Sequence, residues 1–219
     1  MKYLLLSSIF CCCTCSVIAQ AVELVPEKMD TVHVKISPAN YKGKKAVRVI
    51  GTNYEAEEIA ILKNISFTNG AIELDVSGDR LPETDINFRG FIGIAFRLQQ
   101  TDSLRYECFY LRPTNARAED QLQKNHSTQY ISFPNFPWPL LRKETPGVYE
   151  SYSDLVPGEW THIKIIVKDK KASLFVNNAS QACLIVNDLK NGITTGTLAL
   201  WIGPGTDGYF SNLTISKEK

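Results

Sequence analysis

The chain has 219 residues, with 24 Lys and Arg against 23 Asp and Glu for a formal net charge of +1. Without a long basic run, that balance argues against nucleic acid and anionic membrane surfaces as partners. A single β domain with a substantial core suits the length and the 44% hydrophobic content.

Residues 1–19 open with Lys2 and continue as an uncharged apolar run to Val17-Ile18-Ala19, a small-residue pattern before Gln20. This predicts a secretory signal peptide, too short to span a membrane, followed by one domain over 20–219. The expected location is secreted or periplasmic, with no membrane insertion. A lipoprotein anchor on Cys11, Cys12, Cys13 or Cys15 is the alternative, but none follows the small residue such a site wants. Two of the six cysteines then remain, Cys108 and Cys183. Export permits a disulfide between them; two small buried apolar residues is the preferred reading.

Short alternating runs follow in order. Strands are predicted over 31–37, 46–50 and 59–62, then a hairpin of 65–67 and 71–76 through Asn69-Gly70. Residues 91–112, FIGIAFRLQQTDSLRYECFYLR, read as a second hairpin. In its first strand Ile92, Ile94, Phe96 and Leu98 alternate with Phe91, Gly93, Ala95 and Arg97, which predicts one buried face and one open floor. In the second, Phe109 and Leu111 point inward and Tyr106, Tyr110 and Arg112 stand beside that floor. Residues 114–156 show little periodicity outside 129–133 but are rich in prolines and aromatics. They predict an ordered lid with one helical turn near 119–124. Strands over 160–168, 172–176, 182–186, 197–202 and 209–215 complete an all-β, two-sheet antiparallel jelly-roll sandwich.

The run PGEWTHIKIIVKDKKASLFVNN, followed by LKNGITTGTLALWIGPGTDGYFSNLTI, resembles the concanavalin A-like lectin/glucanase superfamily. It is similar to the laminin-G-like and 3-keto-disaccharide hydrolase-type domains of secreted bacterial proteins. FTNGAIELDV and FIGIAFR match earlier strands of the same pattern, so the resemblance spans about 67–215. It implies a jelly roll whose concave sheet binds saccharides. The FNG…GW segment that opens hydrolase-type domains is absent after Gln20.

Saccharide recognition needs aromatic faces for the ring C–H groups and planar polar groups for the hydroxyls. The candidates are Arg97, Tyr106, Tyr110, Arg112, Asn115, Gln129, Tyr130 and Trp138. Arg117, Asp120, Gln121, His126, Tyr149 and Tyr152 are further polar and aromatic groups in the lid. Trp160 and Trp201 read as packing. Arg97 and Arg112 are expected to bracket the floor. A glycoside hydrolase is the alternative, for which Glu107 is the candidate catalytic carboxyl. The E-x-D-x-x-E motif of the laminarinase-like relatives is incomplete, because Glu73 and Asp75 are followed by Gly78 at the third place. A laminin-G-like protein-interaction domain is a third reading. His33, His126 and His162 have no ligand spacing, so no metal or other cofactor is expected; calcium at Asp207 in the 203–208 loop is the one alternative.

Overall fold

The computed structural model describes residues 19–82 and 84–217. Two antiparallel sheets face each other. The back sheet is ordered β13 (Leu184–Val186), β12 (Lys171–Val176), β11 (Thr161–Lys168), β6 (Gly70–Arg80), β15 (Thr206–Lys217), β4 (Lys44–Gly51), β3 (Val34–Tyr41), with β1 (Ala19–Ala21) also on β15. The front sheet runs β10 (Glu150–Ser151), β9 (Thr128–Phe133), β8 (Leu104–Leu111), β7 (Ile92–Gln100), β14 (Thr197–Ile202), β5 (Glu58–Leu62), β2 (Met29–Val32). This is the two-sheet sandwich expected from the alternating runs. The signal-peptide reading lies outside the described residues except for Ala19, which begins β1.

The sheets differ in how their outer faces are used. In β11, Ile163, Ile165 and Val167 enter the core while His162, Lys164, Ile166 and Lys168 face out. That is ordinary one-sided amphipathicity. In β7, by contrast, the first seven residues are all buried. Ile92, Ile94 and Phe96 meet the core between the sheets. Ala95 joins a second apolar cluster on the outer face, with Ile59, Ile61, Cys108, Ile131 and Ala199. Each fully buried aliphatic or aromatic side chain contributes about 1.5–3 kcal/mol, so the front sheet gains on both faces.

Several boundaries depart from expectation. The run at 31–37 is two strands: His33 adopts φ 52°, after which the chain leaves β5 in the front sheet for β4 in the back sheet. The predicted hairpin at Asn69-Gly70 is absent. Phe67 bridges Gly196 instead, and β6 lies between β11 and β15. Residues 114–156 are only partly a lid. Within and beside them are α1 (Pro113–Ala116), α2 (Gln121–Lys124) and α3 (Trp138–Glu144), while β9 and β10 extend the front sheet. The helical turn predicted near 119–124 is α2, whose first turn is capped by Asp120 accepting from the Gln123 N–H at 2.7 Å. Cys108 and Cys183 are free, so the disulfide does not form. No helix among the described residues is long and apolar enough to cross a membrane.

Candidate functional site: an aromatic cleft on the front sheet

Strand register builds the site. One row across the outer face of the front sheet reads Ile59, Trp201, Gly93, Tyr110, Gln129. Gly93 separates the two large rings in that row. A Cβ there would come within 2.6 Å of the Tyr110 Cα and Cβ. Its absence lets the rings of Tyr110 and Trp201 meet, with centroids 4.5 Å apart. The open glycine floor expected from the sequence is therefore paved by two aromatic faces.

Over this paving lies a cleft of about 840 Å³. Phe91, Tyr110 and Trp201 line its base, Trp138 and Arg142 come from α3, Arg89 and Arg112 supply cationic groups and His126 an imidazole. Arg112 follows β8 directly, so it keeps the outward parity of Tyr110. Its guanidinium carbon sits 5.1 Å from the ring centres of Phe91 and Tyr110 and 5.2 Å from that of Trp138. Its Nη2 donates to the Tyr110 hydroxyl at 2.7 Å, while Nε is buried with no hydrogen-bond partner. Asn115 reaches the same cleft from α1, accepting from Arg89 Nη1 at 3.3 Å.

The wall beyond Arg112 holds a buried ion pair with an imidazole beside it. Arg142 forks onto Glu150, with Nε 3.0 Å and Nη2 2.6 Å from Oε2. His126 places Nε2 3.1 Å from Glu150 Oε1. Burial holds the His126 imidazole below its ordinary pKa, against the opposing pull of Glu150. At the other end, Glu57 accepts from the Tyr106 hydroxyl, and Trp201 Nε1 donates to that hydroxyl at 3.2 Å. Burial raises the Tyr110 hydroxyl above its usual pKa, against the lowering effect of Arg112. It therefore stays a neutral hydrogen-bonding group.

Of the eight binding candidates, Tyr110, Arg112, Asn115 and Trp138 line the cleft together. Tyr106 shares the outer face but is sealed beneath Phe133, ring centres 5.2 Å apart, and Trp201. Gln129 is in the aromatic row, but its Nε2 is spent on the Tyr130 and Tyr149 carbonyls, both at 2.9 Å.

Arg97, Tyr130 and Glu107 point the other way. The β7–β8 register slips between Phe96 and Gln99, and Arg97 sits in that bulge with φ 53°. The extra residue turns Arg97 inward and puts Leu98, expected in the core, on the outer face. Arg97 donates to the carbonyls of Thr68, Gly192 and Asp169 and to Asn69 Oδ1, all at 2.8–2.9 Å. It ties the sheets together and is not a binding residue of the cleft. Tyr130 belongs to the inter-sheet core and donates to Glu107 Oε2 at 2.6 Å. Glu107 is 0% exposed, and its Oε1 accepts from the Asn191 N–H at 2.8 Å. Burial raises its pKa, against the stabilising hydrogen bond from Tyr130. Glu107 is thus sealed from any substrate, and the catalytic role considered for it is withdrawn. Asp207, the calcium candidate, is paired with Arg48 Nε at 2.7 Å.

Sequence reasoning missed Glu57, Arg89 and Arg142, and it took Trp201 for packing alone. The parity of Trp201 with Ala199 was available as a signal. The loop residues carry no periodic signal that would have found them.

No protein-family model matches the chain, and a search of curated proteins finds no match. Solved structures do match. The carbohydrate-binding module CBM66 from Bacillus subtilis superposes with a TM-score of 0.58 at 14% identity, covering 86% of this chain and 96% of that one. The fold is that of the concanavalin A-like lectins and glucanases. Lectin II from Ulex europaeus matches with a TM-score of 0.52 at 9% identity, over 91% of this chain and 97% of the lectin. A Bacillus subtilis protein of unknown function with a galectin-like fold matches at 0.55 and 11% identity, over 86% and 88% of the two chains. At these identities the concanavalin A-like likeness is one of architecture.

Proposed function

We propose that the protein is an exported carbohydrate-binding domain that holds a saccharide in the cleft above Tyr110 and Trp201. The observation that carries this reading is the joining of a two-ring aromatic floor to fixed planar donors. Sugar rings present C–H faces that pack on aromatic surfaces and hydroxyls that need directed partners. The exposed Trp138 supplies the first, with Phe91 and the edge of Trp201 over the buried Tyr110 ring. Arg112, Arg89 and Asn115 supply the second. The likeness to a carbohydrate-binding module and a lectin agrees with this use of the fold. A concave cleft of about 840 Å³ favours a small-molecule or chain-end ligand over a flat protein partner. The signal-peptide-like start at Lys2 supports export.

Calorimetric titration of the purified protein against a panel of plant and microbial oligosaccharides tests the reading. Saturable one-site binding to at least one of them is expected. Heats indistinguishable from dilution across the whole panel would remove it. Release of reducing ends during the same incubations would instead favour the hydrolase alternative.

A further inference from the structure

We propose that the saccharide held in the cleft is acidic, a uronate whose carboxylate pairs with Arg112. This inference rests on the saccharide reading above and names its ligand class. Arg112 is 3% exposed, yet among the described residues its Nε has no hydrogen-bond partner, and Nη2 to the Tyr110 hydroxyl is its one side-chain hydrogen bond. Among the described residues no carboxylate forms an ion pair with it. Glu150 is held by Arg142 and His126, Glu57 by Tyr106 and Trp201, and Asp120 by the Gln123 N–H. The other buried arginine of the same hairpin shows the contrast, because every nitrogen of the Arg97 guanidinium donates to the protein.

A buried cation without a counterion is unfavourable, and a buried donor without an acceptor adds to that. Three aromatic faces around the Arg112 guanidinium offset part of the first. They satisfy none of its N–H groups. A carboxylate does both at once, accepting two parallel N–H bonds from one guanidinium edge while supplying the missing charge. A neutral hydroxyl accepts a single bond and leaves the charge. Arg89 stands on the same cleft with Asn115, not a carboxylate, as its side-chain partner, so a second positive charge faces the ligand. The aromatic floor beside Arg112 is where the pyranose face of the same sugar would lie.

The test compares trigalacturonate, its fully methyl-esterified form and a neutral trisaccharide by calorimetry on the purified protein. The acid is expected to bind at least about ten-fold tighter than the ester, a gap that narrows as salt is raised. Arg112→Gln should abolish the gap. Because Arg112 is buried and its variant risks unfolding, Arg89→Gln serves as the second variant and should reduce the gap with the fold intact by thermal melt. Equal affinity for acid and ester, or tighter binding of the neutral sugar, overturns the uronate assignment while leaving the saccharide reading in place. Binding of no saccharide, charged or neutral, overturns both.

Discussion

Arg97 and Arg112 are both buried on one hairpin, and their surroundings separate a structural arginine from a binding one. Arg97 joins the 68–69 loop, the turn at Asp169 and Gly192 through four hydrogen bonds. Arg97→Lys keeps the charge but not the fork, leaving several of those acceptors unpaired. We predict a loss of about 2–4 kcal/mol in urea unfolding, with saccharide affinity unchanged in the folded fraction. Glu58 gives a second prediction at this scale. It is 1% exposed, its Oε2 has no partner, and burial pushes its pKa from 4.5 up to about 7. A carboxyl whose folded pKa lies above its unfolded one holds more protons in the folded state between the two values. Its contribution to stability is complete below about pH 4.5 and is lost as pH rises through about 7. Glu58→Gln should flatten that part of a stability-versus-pH curve and stabilise the protein above pH 7, by no more than about 3 kcal/mol.

At the scale of elements, the β7–β8 hairpin sets the site through Gly93. Gly93→Ala drives a methyl group against the Phe109 carbonyl and the Tyr110 backbone. The expected result is a loss of about 1–3 kcal/mol of stability together with weakened saccharide binding, because Tyr110 must move. Trp138 in α3 is the opposite case, being 41% exposed. Trp138→Ala should change the melting temperature little but weaken saccharide binding by about 1 kcal/mol. These elements also show what the sequence carries and what it withholds. Alternation from Ile92 to Phe96 and from Phe109 to Leu111 was readable, and Tyr110 and Arg112 follow from it. The bulge at Arg97 was not, because an added residue leaves the apolar pattern intact while reversing every side chain beyond it. Tyr130 was misplaced for a related reason. Its strand β9 pairs with β8 so that Tyr130 stands opposite Phe109, and that register depends on a partner strand rather than on local pattern.

Across the whole molecule, the two sheets divide the work. The outer face of the back sheet is polar, with Asp75 accepting from Lys44 at 2.6 Å and from Asn212 at 2.7 Å. The outer face of the front sheet carries an apolar cluster, and residues 87–91 and 134–142 contribute to the cleft that lies over it. The sandwich itself was readable because inward alternation is present in this chain's own strands, as in Ile163, Ile165 and Val167. The cleft was less so, since its rim comes from loops that converge only through the fold. The fold also separates the three tryptophans. Trp138 and Trp201 line the cleft, whereas Trp160 immediately precedes β11 of the back sheet, its Nε1 donating to the Tyr41 carbonyl at 3.1 Å. Each gives one indole N–H signal in a ¹H–¹⁵N correlation spectrum. Titration with the saccharide that binds tightest in calorimetry should shift the Trp138 and Trp201 signals in step with saturation and leave Trp160 in place. Movement of Trp160 with Trp138 and Trp201 unchanged would contradict binding in the front-sheet cleft.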